Sequence, residues 1–525
     1  MRICAKYKSV LNGIIERLVN PFKRDLAYFV LLWVIVAFPN CYSQLNNTLY
    51  VVYMAMMYYI IVYIVVMILN LNTYVAKVLK PVIFVVTLLW LLVNVYCYNV
   101  FNTLLSHDIL SVIRETNVNE VKEFISIYIS LWDVCVFLLV SVTSTCIFLI
   151  VRKNHERRTL IWLPMLFFLF ISTAAVFHNI GMVKEEFFDR IRWQFNFDEV
   201  VDLRNHLTHP VLIETDSIHP DHIVIIIGES FSRNHSSLYG YDKLTNPLLE
   251  RKMENGNLVV FNNITSPASN TTSAFKYILN TKLYDREDER KWYEHPNLVE
   301  VLNEAGYHTA WYSNQAEKGM FDNVPSSFSQ ICNEKHFLKS GKTAGGYDGE
   351  LLNIIPPPTQ TKSALFIHLM GQHEDFRHRY PDDFEHFTVA DYYNCEKHQK
   401  SILASYDNAT LYNDFVVDSL MSLYEGSNAI VIYFSDHALD LFDSEPDFWG
   451  HAKNTEKSQA YARDIPFMVY VSTRFKNNYS VEFSKIRGLA DMPFSTDRLI
   501  YMVMGIAGYS INDCDAITQT HISLD

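Results

Sequence analysis

The stretch HIVIIIGESFSRNHSSLYGY, His222 to Tyr241, joins a run of apolar residues directly to a polar loop. Residues Ile223 to Ile227 are all β-branched and apolar, which favours a short strand buried on both faces. Gly228 and Glu229 follow at once, so a carboxylate lies at the end of a buried strand. An acid in this place is more often a helix cap or a loop hydrogen-bond acceptor than a ligand. The rest of the sequence therefore has to decide its role.

Short apolar segments alternate with helical ones after residue 220. Strands are predicted at Ile223–Ile227, Leu258–Phe261, His308–Tyr312, Leu365–Leu369, Ile430–Phe434 and Phe467–Val471. Helices are predicted at Asn297–Ala305 and Tyr406–Tyr424, where apolar residues follow the helical period. This alternation is typical of an α/β domain with a largely parallel central sheet. Ligands of such domains gather at the carboxyl ends of the strands.

The first third of the chain contains the long apolar runs. Five of them are long enough, or nearly so, for the roughly 20 residues of a membrane-spanning helix: residues 26–39, 49–70, 81–101, 124–151 and 160–180. Basic residues lie before the first run, between the second and third at Lys77 and Lys80, and between the fourth and fifth at Arg152–Arg158. These loops are predicted to be cytoplasmic. An odd number of spans then exports everything after about residue 181.

Three regions follow from this interpretation. Residues 1–181 form a transmembrane domain of five helices, residues 182–220 an interfacial helix and linker, and residues 221–525 an exported catalytic α/β domain. The mixture of aromatic and charged residues in Glu185–Phe197 fits a helix in the membrane interface and equally a linker packed on the soluble domain. The formal net charge of −13 argues against reliance on a basic surface, and no nucleic-acid partner is expected.

Polar residues recur at the ends of successive predicted strands. They are Glu229, then Asn314 and Lys318 after HTAWYS, His373 after LFIHLMG, and Asp436 with His437 after IVIYFS. Each alone has an ordinary structural explanation, but their recurrence at one end of a sheet indicates a site. Carboxylate and imidazole together suit zinc, whereas manganese or magnesium prefers more oxygen ligands. His437 favours zinc without excluding the other two metals.

Three hydroxyl groups are candidates for a nucleophile at such a site. Ser230 belongs to GESFS, which fails as the G-x-S-x-G elbow of serine hydrolases because Ser232 replaces the closing glycine. Thr271 and Thr272 lie in NNITSPASNTTSAF, where a threonine at a helix start could have its oxygen polarised by a metal and by backbone amides. Adjacent side chains of a helix point about 100° apart, so only one of these threonines can face the metal.

Six segments together resemble the bacterial phosphoethanolamine transferases in order and spacing. They are IIIGESFSRNHSSLYGY, TSPASNTTSA, WYSNQAEKGMFDNVP, HLMGQHEDFRHRYP, YDNATLYNDFVVD and VIYFSDH. Members of this family are inner-membrane enzymes that modify lipid A or the lipopolysaccharide core, and they include the mobile colistin-resistance enzymes. Their soluble domain has the alkaline phosphatase and sulfatase fold. The resemblance extends over the whole chain, the five spans included.

The resemblance implies a metal centre and a nucleophile. Glu229, Asp436 and His437 correspond to the zinc ligands of the family, and about one tightly held zinc ion is expected. Thr271 corresponds to the nucleophilic threonine, which also contacts the metal. Ala438 and Leu439 follow His437, where most relatives have Gly-Glu, so the loop after the ligands departs from the family pattern.

The resemblance also implies residues that bind the substrate. Asn314 and Lys318 correspond to contacts with the substrate phosphate. His373 and His451 are expected to contact the substrate, to protonate the leaving group or to activate the acceptor. The implied reaction moves phosphoethanolamine from phosphatidylethanolamine to lipid A or lipopolysaccharide core through a threonine adduct. A monomer in the bacterial inner membrane, with its catalytic domain in the periplasm, is expected to carry it out.

Other functions fit the sequence less well. A lipoteichoic-acid-synthase-like enzyme shares five spans and a similar fold but transfers glycerol phosphate with manganese, and it is the alternative. A sulfatase that depends on formylglycine needs a C/S-x-P-x-R motif, and none lies near Thr271. The exported part has only Cys332, Cys395 and Cys514, so no disulfide is assigned.

Overall fold

The structure is a computed structural model, and it divides the chain into two compact units. It describes residues 25–43, 48–69, 73–101, 103–105, 131–153, 211–214, 219–315, 317, 324–338, 346–393, 395–446, 448–451 and 453–512. The helices up to residue 153 belong to the first unit, and the strands and helices from residue 211 belong to the second.

Four apolar helices form the described part of the first unit. They are α1 (Leu26–Tyr42), α2 (Thr48–Leu69), α3 (Thr73–Phe101) and α4 (Leu131–Lys153). Two segments are long and apolar enough to cross a membrane, Thr48–Leu69 and Tyr74–Tyr98, whereas the apolar parts of α1 and α4 are shorter. Aromatic side chains join the helices, since Phe29 packs edge-on against Tyr59 and Phe84 stacks on Phe148.

The helix boundaries test part of the predicted topology. The structure has helices at the first four predicted spans, but residues 160–180 and 185–197 lie outside the described residues, so a count of five stays a prediction. The placement of Lys77 and Lys80 in a loop was wrong, because both lie in the first turns of α3. Lys80 Nζ lies 2.7 Å from Asp25 Oδ2 at the start of α1, so its charge is paired within the unit.

The second unit is built around a seven-stranded sheet. Its strands are β2 (His222–Gly228), β3 (Leu258–Val260), β5 (His308–Ser313), β6 (Glu334–Phe337), β7 (Ser363–His368), β8 (Ala429–Ser435) and β11 (Phe467–Val471), in the order β3-β11-β8-β2-β7-β5-β6. Short strands outside it are β1 (Val211–Glu214), β4 (Ile264–Thr265), β9 (Asp440–Leu441), β10 (Trp449–Gly450), β12 (Phe494–Ser495) and β13 (Tyr509–Asn512). Within the predicted linker, β1 pairs antiparallel with β13.

The predicted α/β class is confirmed, with a sheet that is parallel except for β11, the strand next to the β3 edge. β8, β2, β7, β5 and β6 run parallel, whereas β11 pairs antiparallel with both β8 and β3. The sequence analysis missed β6 (Glu334–Phe337), whose first three residues are polar or charged and exposed. An edge strand of this kind carries no apolar run that could reveal it.

Helices cover both faces of the sheet. They are α5 (Pro247–Glu254), α6 (Thr271–Ile278), α7 (Leu298–Glu304), α8 (Val324–Ser329), α9 (Lys397–Leu423), α10 (Glu456–Ala462), α11 (Thr473–Asn478), α12 (Ser480–Gly488) and α13 (Leu499–Ile506). Alternate residues of β2 enter opposite cores: Ile225 packs in the core that contains α6, and Val224 in the core that contains α9. Burial on both faces therefore explains the uninterrupted apolar run of β2.

The long helix α9 carries polar residues into the protein rather than to its surface. Tyr406, Asp407, Asn408 and Asp414 are all buried, and each bonds a different segment of the chain. Asn408, for example, accepts hydrogen bonds from the backbone N–H groups of the 386–387 segment and donates to a carbonyl oxygen there. This explains the polar motif YDNATLYND, because a buried polar group is stabilised only when it is hydrogen-bonded.

Candidate active site

The register of the two central strands brings the predicted ligands together. Gly228 of β2 pairs with Ser435 of β8, so Glu229 and Asp436 leave the sheet side by side. The backbone N–H of Asp436 donates to the carbonyl oxygen of Gly228 over 3.1 Å, which fixes this arrangement. Ligand atoms of Glu229, Asp436 and His437 lie within 4.8 Å of one another, and all three side chains are buried.

The orientation of the His437 ring is set by one hydrogen bond. Its Nδ1 lies 3.0 Å from the carbonyl oxygen of Ala438. Because a carbonyl oxygen can only accept, Nδ1 carries the hydrogen. Nε2 then faces the acids, 3.0 Å from Glu229 Oε1 and 3.9 Å from Asp436 Oδ2. An outer hydrogen bond that fixes the ring in this way is usual for histidines that bind metals.

The structure places the hydroxyl of Thr271 against both Glu229 and His437. Thr271 is the first residue of α6, and Asn270 caps that helix by accepting a hydrogen bond from the N–H of Ser273 over 3.0 Å. Thr271 Oγ1 donates to Glu229 Oε2 over 3.0 Å and lies 3.4 Å from His437 Nε2. Adjacent side chains of a helix point about 100° apart, so Thr272 points in a different direction from Thr271. Its side chain is buried.

Ser230 supports Glu229 from the side. Its hydroxyl donates to Glu229 Oε1 over 2.8 Å, and its backbone is left-handed, with φ of 60°. A non-glycine residue in this conformation is strained, and such strain persists only when the surroundings fix it. Here Tyr406 does so, because its hydroxyl donates to the carbonyl oxygen of Ser230 and accepts from the N–H of Ser232. Ser230 therefore orients the carboxylate.

Burial and mutual charge shift the ionisation of the three predicted ligands. Burial and the charge of Glu229 raise the pKa of Asp436 to about 8. Burial alone would lower the pKa of His437, but the two carboxylates raise it to about 9. Burial would raise the pKa of Glu229, yet the imidazolium of His437 holds it well below its usual range. Without a cation between them, therefore, the two buried carboxylates do not both ionise readily near neutral pH.

The donor set fits a zinc ion. Four atoms bound at about 2.0–2.1 Å to one tetrahedral ion lie roughly 3.3 Å apart. The separations of 3.0 and 3.4 Å from His437 Nε2 to Glu229 and Thr271 are close to this value. Asp436 Oδ2 is buried without a hydrogen-bond partner in the described part of the chain, and a metal ion would satisfy it. Two carboxylates and an imidazole are zinc ligands in type and number.

Two histidines lie beside the group. The rings of His451 and His437 are 4.8 Å apart between centroids, and His451 directly follows β10, which pairs with β9 in the loop after His437. Burial and the neighbouring charge of His437 lower the pKa of His451 to about 3, so its ring is neutral. His373 Nδ1 is buried and has no hydrogen-bond partner among the described residues. His373 Nδ1 is therefore free to contact a ligand.

The predicted phosphate contacts are only partly described. Lys318 lies outside the described residues. Asn314 is buried, and its amide donates to Asp348 Oδ1 over 2.8 Å and to the carbonyl oxygen of Gly346 over 2.9 Å. In this arrangement its N–H groups bond the protein and not a ligand. The neighbouring Gln315 does reach the site, since its Nε2 lies 3.3 Å from Glu229 Oε2.

The sequence departs from the family pattern at Ala438 and Leu439 and in its few cysteines. Ala438 and Leu439 are fully buried, and the N–H of Ala438 donates to the carbonyl oxygen of Ala462 over 2.8 Å. With these two residues after His437, the ligand atoms of Glu229, Asp436 and His437 still lie within 4.8 Å of one another. Cys332 and Cys395 are free thiols, and Cys514 lies outside the described residues.

The sequence analysis missed a charged cluster that joins the loops around the site. His235 Nδ1 lies 3.8 Å from Asp407 Oδ1, and its Nε2 lies 3.4 Å from Asp443 Oδ2. Tyr241 and Tyr392 donate to the other oxygen of Asp407. His235 therefore links the loop after Glu229 to helix α9 and to the loop after β9. His235 lies in the quoted segment SRNHSSLYGY, but its partners Asp407 and Asp443 are more than 170 positions away, so the sequence did not predict the cluster.

His235 is expected to make the fold less stable at high pH. Burial alone would lower its pKa, but Asp407 and Asp443 raise it to about 9. Since the unfolded value is about 6.5, the stabilisation is fully present below that pH and is lost as the pH rises through about 9. The shift corresponds to roughly 3 kcal/mol. We expect the difference in melting temperature between wild type and His235→Gln to shrink from pH 7 to pH 10; a constant difference contradicts this.

An α/β sheet whose strand ends collect two carboxylates, an imidazole and a hydroxyl defines a class of enzymes that hold a metal ion beside a reactive side chain. The family model described as Sulfatase matches residues 221–509, which is more than half of the chain. The chain belongs to the sulfatase family.

Three relatives narrow this assignment. Phosphoethanolamine transferase EptC of Escherichia coli (strain RS218) is 26% identical over 482 residues, which cover 84% of this chain and 81% of that protein. The C-terminal periplasmic domain of EptC from Escherichia coli, solved in complex with Zn, is 27% identical with a TM-score of 0.52 and covers 59% of this chain and 88% of that one. The integral membrane lipooligosaccharide phosphoethanolamine transferase EptA from Neisseria meningitidis, 18% identical, has a TM-score of 0.60 over 92% of this chain and 95% of that one, which shows a shared fold. The resemblance to phosphoethanolamine transferases is confirmed.

Proposed function

We propose that the chain is a membrane-bound phosphoethanolamine transferase that uses Thr271 as its nucleophile. The observation that carries the proposal is the position of Thr271 Oγ1, 3.0 Å from Glu229 Oε2 and 3.4 Å from His437 Nε2. Relatives that bear the transferase name and match most of the chain support the same activity. The alternative of glycerol-phosphate transfer has no support among the three relatives described above.

The first half of the reaction would load the enzyme. Thr271 Oγ1 attacks the phosphorus of phosphatidylethanolamine, a phosphorus–oxygen bond to Thr271 forms, and the bond to diacylglycerol breaks. The proton of the threonine hydroxyl passes to the departing diacylglycerol oxygen. Glu229 accepts the hydrogen bond of this hydroxyl and so aims its oxygen. His373 and His451, at the side of the site, are the groups proposed to carry the proton.

The second half would transfer the group to an acceptor. A phosphate or sugar hydroxyl of lipid A or of the lipopolysaccharide core attacks the phosphorus, and the Thr271 oxygen leaves and regains a proton. Glu229, Asp436 and His437 are proposed to hold one zinc ion, which supplies charge to lower the pKa of the threonine hydroxyl and to attract phosphoryl oxygens. Lys318 is proposed to contact the phosphate, with Asn314 beside it.

The location of the enzyme follows from its lipid substrates. We place residues 1–181 in the bacterial inner membrane as five helices, residues 182–220 as interfacial helix and linker, and residues 221–525 as the periplasmic catalytic domain. Support comes from the two described helices that are long and apolar enough to span a membrane. It comes also from a relative solved as a periplasmic domain and from another described as an integral membrane protein. The enzyme is proposed to act as a monomer.

Mass spectrometry of the host envelope tests the function and the acceptor together. We expect lipid A or core oligosaccharide from cells that express the chain to gain a phosphoethanolamine group absent from cells that lack it. Cells that express the Thr271→Ala variant at the same level are the control and should match those that lack the chain. The same gain in cells that express wild type and in cells that express Thr271→Ala would contradict the proposal. A gain of glycerol phosphate instead would establish the alternative.

A further inference from the structure

Asp348 is a buried carboxylate that lies outside the metal-binding group. Its side chain is almost fully buried, and burial raises its pKa. Three N–H groups compensate for this burial, each at 2.8 Å: Asp348 Oδ1 accepts from Met370 N and from Asn314 Nδ2, and Oδ2 accepts from Gly371 N. A carboxylate that accepts several hydrogen bonds at once holds the donors in one geometry.

Two of the donors belong to the segment that follows β7. The N–H groups of Met370 and Gly371 point at Asp348, and the next residue, Gln372, donates its N–H to the carbonyl oxygen of Glu229 over 2.9 Å. His373 comes directly after. The segment therefore runs from Asp348 to the main chain of a predicted zinc ligand and ends on a predicted substrate-binding histidine.

Gly371 shows how closely this segment approaches the ligand. Its φ is +51°, and a Cβ atom there would lie 2.7 Å from the carbonyl oxygen of Glu229 and 2.8 Å from its nitrogen. Only glycine fits this approach without displacing backbone. Asp348 holds the N–H of this glycine, so a shift of the carboxylate would move backbone that lies directly against Glu229.

The third donor, Asn314, connects Asp348 to the end of β5. Asn314 follows β5, its N–H donates to the carbonyl oxygen of His368 at the end of β7 over 3.0 Å, and its amide bonds Asp348. Asp348 is thus bonded to the ends of β5 and β7 and, through Gly371, is joined to the end of β2. These strands are neighbours in the sheet. One carboxylate connects the loops at the carboxyl ends of all three.

We propose that Asp348 is a positioning residue of the active site, which fixes Glu229 for metal binding and His373 for the substrate. It acts through the 370–373 backbone and through Asn314, and it takes no part in the chemistry itself. The proposal rests on the proposed function for the roles of Glu229 and His373. It also gives Asn314 a structural task, to hold Asp348, in place of a direct contact with the substrate.

The test compares two buried aspartates in the full-length, detergent-solubilised protein. Asp348→Asn keeps the size of the side chain but turns one acceptor oxygen into an N–H₂ group that faces a donor. Asp414→Asn is the matched control, because Asp414 is also buried and accepts from two backbone N–H groups, those of Leu248 and Leu249, at 2.9 and 3.0 Å. These two N–H groups lie in the first turn of α5, a helix that contains none of the proposed site residues. Zinc affinity is measured by competition with a chelator, and kcat and KM at saturating zinc.

We expect Asp348→Asn to weaken zinc binding about 10- to 100-fold, the effect typical of groups that orient a ligand from outside the metal. At saturating zinc, its kcat should remain below that of wild type because His373 is displaced. Asp414→Asn should change zinc affinity by no more than about twofold, as for a distant site. Wild-type zinc affinity and kcat in Asp348→Asn would overturn the proposal.

A second variant covers the case in which Asp348→Asn does not fold. Asn314→Ala removes only one of the three donors. If Asn314 holds Asp348, this variant weakens zinc binding; if Asn314 contacts the substrate phosphate instead, only KM for phosphatidylethanolamine rises and the proposal is overturned. Wild-type protein that binds zinc but transfers nothing would refute the proposed function, while the zinc affinities of the variants would still decide the role of Asp348.

Discussion

Replacing Thr271 by alanine is expected to abolish transfer while the protein still binds zinc. Thr271 Oγ1 is the hydroxyl that bonds Glu229 Oε2, and the three other predicted ligand side chains stay in place without it. Loss of a nucleophile typically lowers kcat by a factor on the order of 10³ or more. Release of diacylglycerol from phosphatidylethanolamine measures the first half of the reaction. Elemental analysis of the same sample measures zinc.

Ser230→Ala is the control for this prediction. Its hydroxyl also bonds Glu229, over 2.8 Å, but only orients it, so zinc affinity should fall by no more than about 10- to 100-fold and substantial activity should remain at saturating zinc. Wild-type protein incubated with phosphatidylethanolamine and no acceptor should carry a phosphoethanolamine adduct on the peptide that contains Thr271. An adduct on Thr272 or Ser230, or full turnover by Thr271→Ala, would show that another residue is the nucleophile.

Removing the metal is expected to have the second large effect. Glu229→Gln keeps the shape of the side chain and deletes the charge that faces His437 Nε2 over 3.0 Å. Groups that merely orient a metal ligand are worth about 10- to 100-fold in affinity, so loss of a ligand charge should weaken zinc binding by at least about 100-fold. Activity should fall with it. Chelator-treated wild type should lose activity to a similar degree and regain it when zinc is added.

Glu300→Gln provides the comparison for the charge change. Glu300 accepts a hydrogen bond from the N–H of Asn297 at the start of α7, and its substitution should affect the capping of that helix and not zinc binding. Zinc should restore wild type and the Glu300 variant alike but not Glu229→Gln at the same concentration. Restoration of chelated wild type by manganese alone would instead favour glycerol-phosphate transfer.

The convergence of Glu229, Asp436 and His437 was predictable from the sequence because of a rule of geometry. Residues that directly follow parallel strands meet at one edge of the sheet, and both runs that precede these residues are apolar and uninterrupted. The choice of Thr271 over Thr272 came from the family resemblance, and the structure places Thr271 against the acids. The buried polar side of α9 was visible only as an unexplained motif, YDNATLYND.

Other features depend on contacts that no local pattern contains. The antiparallel pairing of β11 with β3 and β8 depends on the order and direction of the strands in the sheet, which are decided by packing across the whole domain. The inward amide of Asn314 depends on Asp348, 34 positions further along the chain. His235 likewise meets Asp407 and Asp443 only after the sheet has formed. Sequence patterns predict which residues lie at strand ends, but not which way their side chains turn.

The pairing of Gly228 with Ser435 joins parts of the chain about two hundred positions apart. Closing so long a loop costs conformational entropy, so contacts of this separation form late in folding. During synthesis, Glu229 and Thr271 emerge long before Asp436 and His437 exist. A chain that stops short of β8 therefore lacks two of the three predicted ligands and has no centre to capture an ion. Binding of an ion at the proposed centre would therefore require that translation has passed His437 and that β2 and β8 have paired.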